Sequence, residues 1–270
     1  MTTSKGTLKT FHGIVRVLLF YVGSLIIFAI VSGVAKGRPN ADYASLTVSS
    51  LLTFGLIISF AKWEKLTLPE IGIGFESGSV LRFAGGFGLG VAMVLVQAVI
   101  TTMFAKVTFV LSSDISLLDI SLSLVLYLLV AVREELVFRT YMLRNMSNLT
   151  SPLVALITIT IVFILEHVIA GVSWKMSVVG SGFGGILFGL AALKTRGIAL
   201  PLGIHFAWNF SQWMLGFKND TGVWREVVTR GAESSAENVA LLGFTVAMSL
   251  GIFCVLIVVR RKTGPVGSGL

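Results

Sequence analysis

The sequence predicts an all-α, polytopic membrane protein with about eight transmembrane helices. Of its 270 residues, 55% are hydrophobic and 13% charged, and mean hydropathy is +0.91. A soluble domain does not reach these values. Apolar stretches recur at close to the roughly 20 residues that a helix needs to cross hydrocarbon. Basic residues gather at the ends of those stretches, where membrane topology is set.

The spans lie near 14 to 35, 44 to 61, 83 to 105, 117 to 140, 152 to 170, 176 to 194, 197 to 215 and 238 to 260. The first is too long for the apolar core of a signal peptide and lacks a small-residue cleavage site after it, so it reads as a retained span. The fourth, sixth and seventh carry charge, glycine or interior polar residues. The whole of 1–270 reads as a single integral-membrane domain. In the third span Gly86 and Gly90 are spaced for close helix packing, as are Gly180 with Gly184 and Gly185 with Gly189 in the sixth.

The formal charge is +8, but it is spread over helix ends and not gathered into a face or tail, which argues against nucleic acid as a partner. The partner it implies is the lipid bilayer. Lys5, Lys9, Arg16, Lys62, Lys65, Arg82, Arg139, Arg144, Lys194, Arg196, Arg260, Arg261 and Lys262 fall on one side of the expected threading. Lys36, Arg38, Lys106, Lys175, Lys218, Arg225 and Arg230 fall on the other. Both termini are therefore expected in the cytoplasm. Cys254, the single cysteine, has no partner within the chain and reads as a packed apolar side chain.

Ionisable groups are costly inside a bilayer and mark function there. Arg133, Glu134, Glu135 and Arg139 stand near the end of the fourth span. Glu135 and Arg139 are four apart and can pair on one helix face, whereas Glu134 points about 100° away and is left for chemistry. His167 and His205 lie inside the fifth and seventh spans. Counted at 1.5 Å per residue, Glu134 is ~15 Å from Arg144, His167 ~22 Å in from Pro152 and His205 ~12 Å in from Gly197. All three are thus expected in the cytoplasmic half or near the midplane. Asn209 is one turn beyond His205 on the same face, and Phe163 one turn before His167, where it can wall a site against lipid.

This set suits hydrolysis. Glu134 can take a proton from water as general base, while His205 and Asn209 donate to a tetrahedral oxyanion. Alternatively Glu134, His167 and His205 supply three ligands to Zn²⁺ with a fourth position open to water. Spacing does not choose between these. Glu166, beside His167 in sequence but on another helix face, reads as a partner for a different span or a rim residue, with modulation of His167 as the alternative.

The motifs Glu134-Glu135-x-x-x-Arg139, Phe163-x-x-x-His167 and His205-x-x-x-Asn209, in this order and in membrane context, resemble the CPBP (CaaX protease and bacteriocin-processing, or Abi) intramembrane proteases. These are related to the type II CaaX prenyl endopeptidases. The similarity covers roughly 117 to 215. It implies an eight-helix fold with a cytoplasm-facing cavity. The residue matching Glu134 activates water with help from that matching His167, and His205 and Asn209 match the oxyanion-binding pair. Glu135, Arg139 and Phe163 take supporting places.

The expected function is that of a membrane peptidase of the glutamate type, similar to CaaX prenyl protease 2. It would cut membrane-associated substrates that are prenylated, or that are bacteriocin or pheromone precursors, with a glutamate-activated water and without a required metal. A non-catalytic immunity or scaffold protein and a proton-coupled transporter are the competing classes. No motif is readable in the charged loop from 217 to 238.

Overall fold

A computed structural model describes residues 2–218 and 221–259, with side chains from Leu8 onward. The Lys5 side chain and Arg260, Arg261 and Lys262, which enter the topology count, lie outside the described residues. The chain forms α1 (Thr2–Ala35), α2 (Ala41–Trp63), α3 (Ser79–Phe104), β1 (Val107–Leu111), α4 (Leu117–Val137), α5 (Leu143–Leu149) and α6 (Pro152–Ile169). It continues through α7 (Trp174–Met176), α8 (Gly182–Thr195), α9 (Ala199–Met214), β2 (Trp224–Val228) and α10 (Glu233–Val258). Single π-turns at Phe138–Met142 and Ser177–Ser181 join α4 to α5 and α7 to α8.

Six of the described spans are long and apolar enough to cross a membrane. The expected fourth and seventh spans, now α4 and α9, fall outside that six because they carry the polar residues; α9 is also short, at 16 residues. With them the bundle has about eight spans, and the protein is an integral membrane protein. Helix starts follow local chemistry. Ser116 and Asp119 form a reciprocal capping box at α4, and Ser151 caps α6 ahead of Pro152, whose missing N–H costs nothing at that position.

The two polar helices take the centre. α9 packs between α3, α4 and α8, and α4 lies between α2 and α9. The approach of α3 to α9 depends on glycine: a Cβ on Gly86 would stand 2.4 Å from the Leu200 carbonyl oxygen, and one on Gly203 2.2 Å from that of Phe83. Gly90, Gly185 and Gly189 are equally close-packed, as their spacing predicts. Gly180 is not: its nearest neighbour, Met176, would be 3.8 Å away, because the π-turn takes it off the helix seam.

Among the described residues two large apolar clusters result, one around Phe20, Ile57, Phe138, Tyr141 and Phe163, the other around Val94, Leu187, Phe188, Ile204 and Met248, with a small third around Ala105, Val107 and Ala236. The candidate site residues lie along the seam between the two large clusters, with Phe163 in the first and Phe188 in the second. Successive spans alternate in direction, so the start of α1 and the end of α10 share one end of the bundle. Contacts there include Arg144 Nη2 to the Ala192 carbonyl (3.0 Å), Ile198 N to the Gly72 carbonyl (3.2 Å) and Lys194 Nζ to the Val259 carbonyl (3.0 Å). The opposite end carries the antiparallel pair β1–β2 and the Lys175–Glu237 ion pair at 3.3 Å.

β2 lies within the charged 217–238 loop, which carries no motif. It pairs Val107 with Val228 through Leu111 with Trp224, binding that loop to the end of α3.

Candidate active site

The diglutamate sits on the last turn of α4, just before the π-turn. That turn holds Thr140 at φ −97°, ψ −112°, and the Thr140 hydroxyl donates back to the Leu136 carbonyl at 2.5 Å. Wide turns of this kind interrupt helices where side chains must be re-aimed. Glu135 and Arg139, each 1% exposed, face the bundle interior with Oε2 and Nε 3.7 Å apart, the pairing expected from their spacing.

Arg139 does not reach the lipid interface. None of its guanidinium nitrogens makes a hydrogen bond. The cation instead lies 5.1 Å from the centroid of Phe163, 5.7 Å from Phe138 and 6.0 Å from Phe188. Ring faces attract a desolvated cation. Phe163 thus does more than wall the site, since it also packs edge-on to His167 with ring centroids 4.5 Å apart.

Glu135 has a second partner that helical spacing did not reveal. Its Oε1 accepts from His205 Nδ1 at 3.0 Å. Phe188 stacks on the His205 ring at 4.5 Å and 13°. Held by an acceptor at one nitrogen and by a ring on its face, His205 turns Nε2 toward Glu134, 3.7 Å from Oε2. His167 is fixed in a different way: Nδ1 donates to the Phe163 carbonyl one turn back at 2.8 Å, which leaves Nε2 as the acceptor of the neutral ring.

Glu134, Phe163, His167, His205 and Asn209 all line one cavity of about 470 Å³. Glu135 and Arg139 stand behind it. Two polar features of the wall had no sequence signal. Gln212 Nε2 on α9 donates to Gln97 Oε1 on α3 at 2.5 Å. Lys218, in the turn after α9, donates to Asn209 Oδ1 at 2.9 Å. Burial pushes the Lys218 ammonium down to about 8, with the Glu134 carboxylate opposing the shift. At the rim, burial raises Glu226 above the usual carboxylate range.

Glu166 points out of the cavity, as its helix phase predicts. It accepts from Arg133 Nη1 at 2.6 Å and from the Tyr21 hydroxyl at 3.1 Å, tying α6 to α4 and α1. Arg133 also lies over the Phe28 ring at 4.2 Å.

The cavity mouth lies at the end of the bundle away from the termini. Val172, Lys175, Lys218, Glu226 and Glu237 line it. All of them belong to the β1–β2 end, opposite the termini. A cytoplasm-facing cavity and cytoplasmic termini, both expected above, therefore exclude each other in this fold.

Among the described residues, no three His, Cys, Asp or Glu side chains converge closely enough to hold a metal ion. Glu134, His167 and His205 share the cavity without forming such a cluster.

Fold and site together define a polytopic membrane protein with a carboxylate–imidazole–carboxamide centre sunk between its helices. A family model, type II CAAX prenyl endopeptidase Rce1-like, matches residues 116–211. That stretch contains every motif residue named above. The match covers 96 of the 270 residues, and this stretch is similar to the type II CAAX prenyl endopeptidases. Comparison with curated proteins gives no match.

Proposed function

We propose that the chain, acting as one integral-membrane domain over 1–270, is a peptidase that hydrolyses membrane-associated peptides with a water activated by Glu134. The observation that carries this is the Glu135–His205 hydrogen bond, which orients His205 in the cavity that Glu134, His167 and Asn209 also line.

In the proposed reaction, water enters through the polar mouth and sits between Glu134 and His167 Nε2. Its oxygen attacks the scissile carbonyl carbon as its proton passes to the Glu134 carboxylate. The carbonyl oxygen becomes an oxyanion and accepts from Asn209 Nδ2–H and from Nε2–H of His205 in its doubly protonated form. Preorganised donors in a water-poor site act most strongly on charge that develops in the transition state. Glu134 then returns the proton to the departing nitrogen as the C–N bond breaks. Glu135 and Arg139 hold His205 and touch no substrate.

Orientation selects the substrate. With the termini in the cytoplasm, as the basic residues favour, the mouth opens on the far face, and secreted peptide precursors of the bacteriocin or pheromone kind are the substrates that reach it. Prenylated C-terminal peptides, which are made in the cytoplasm, require the reverse orientation. Purified protein incubated with a prenylated C-terminal peptide and, separately, with an apolar leader-peptide precursor, with products read by mass spectrometry, tests both. Cleavage of either that disappears with Glu134→Gln supports the peptidase; cleavage of neither contradicts it.

A further inference from the structure

Asn209 lines the cavity as half of the proposed oxyanion pair, yet a carboxamide presents either of two faces with nearly the same shape: a donor NH₂ or an acceptor oxygen. Only the NH₂ stabilises an oxyanion. The choice must therefore be made by whatever stands behind the amide.

Lys218 stands there. Its ammonium, which has three donors and no acceptor, contacts Asn209 Oδ1 at 2.9 Å. An ammonium at that distance can face the oxygen only, so the NH₂ turns the other way. Lys218 is itself held from a second element, its Nζ lying 5.1 Å from the centroid of Tyr127 on α4. It arrives from the turn that follows α9, and Gly216 fixes that turn. Gly216 has φ +77°, and a Cβ there would come within 2.5 Å of the Trp224 carbonyl oxygen. The β1–β2 end of the molecule is thereby connected to the amide of Asn209.

We propose that Lys218 is a positioning residue for hydrolysis: by donating to Asn209 Oδ1 it locks the carboxamide with its NH₂ toward the scissile carbonyl oxygen. This rests on the peptidase function proposed above. Lys218 acts through Asn209 and not on the substrate. With an ammonium pKa of about 8, it stays predominantly cationic at neutral pH.

A double-mutant cycle tests this on the full-length, detergent-purified protein with the peptide that the wild type cleaves. Lys218→Met should lower kcat about tenfold with little change in KM, a part of the ~10²–10³ that removal of an oxyanion donor costs. Lys218→Arg, which retains the donor, should restore most of that loss. In an Asn209→Ala background, Lys218→Met should change kcat less than about twofold, because its target is gone. An undiminished loss in that background overturns the proposal, whereas Asn209→Ala with wild-type kcat overturns the oxyanion pair and with it the function on which the proposal rests.

A second measurement needs no activity. In protein labelled with ¹⁵N at asparagine, the side-chain amide pair missing from Asn209→Ala belongs to Asn209. That pair should shift in Lys218→Met and, if Lys218→Met does not purify folded, in Lys218→Gln. An unmoved pair overturns the proposal whatever the cleavage data show.

Discussion

Glu135 Oε1 accepts a hydrogen bond from His205 Nδ1 at 3.0 Å, while the other oxygen of the same carboxylate faces Arg139 Nε at 3.7 Å. One buried acid thus links the arginine of the first motif to the histidine of the third. Glu135→Gln keeps the shape and an acceptor oxygen but removes the charge that holds the imidazole. A hydrogen bond to a charged group contributes about 1.5–3 kcal/mol, so kcat should fall by roughly 10- to 100-fold while the protein elutes as a folded species on gel filtration. Wild-type kcat in Glu135→Gln would remove Glu135 from its orienting place.

Arg139 is a structural cation. Arg139→Met leaves Glu135 buried without its countercharge, and loss of one partner from such a pair costs ~3–5 kcal/mol. Thermal unfolding in detergent should register that as a large drop in midpoint. The double substitution Arg139→Met with Glu135→Gln should recover much of it, since no buried charge remains uncompensated.

Glu166 separates scaffold from chemistry within two adjacent residues. Its bonds run to Arg133 and Tyr21, away from the cavity. Glu166→Gln should therefore lower stability by about 1.5–3 kcal/mol, the range for a hydrogen bond to a charged group, with kcat nearly unchanged. A shifted pH profile of kcat would instead make Glu166 a modulator of His167.

Topology is predicted with the termini in the cytoplasm and the cavity mouth on the far face. A fluorescent protein fused after residue 270 should be bright. In a Cys254→Ala background, a cysteine introduced at Lys175 at the mouth should react with an impermeant maleimide applied to intact cells. A dark fusion with a shielded mouth cysteine would reverse the orientation and make prenylated cytoplasmic peptides the accessible substrates.

The spans were readable because hydrocarbon demands long apolar helices, and the Glu135–Arg139 pair because helical spacing is local. Glu166 was placed away from the cavity for the same reason. The Glu135–His205 bond was not readable. It joins residues 70 apart, and only the close crossing allowed by Gly86, Gly90 and Gly203 brings α9 into the centre of the bundle where α4 lies. Lys218 was hidden similarly, counted as a surface charge because its turn is drawn inward by the strand pairing of Trp224–Val228 with Val107–Leu111. Those two strands carry a weak signal of their own, short β-branched and aromatic runs between spans.

The most direct measurement is cleavage of a membrane-associated peptide by wild type and by Glu134→Gln, each with and without a strong chelator. Water activation by the carboxylate predicts cleavage by the wild type, unchanged by the chelator, and loss of at least about 10²-fold in the mutant. Equal cleavage by both forms would contradict the central place given to Glu134.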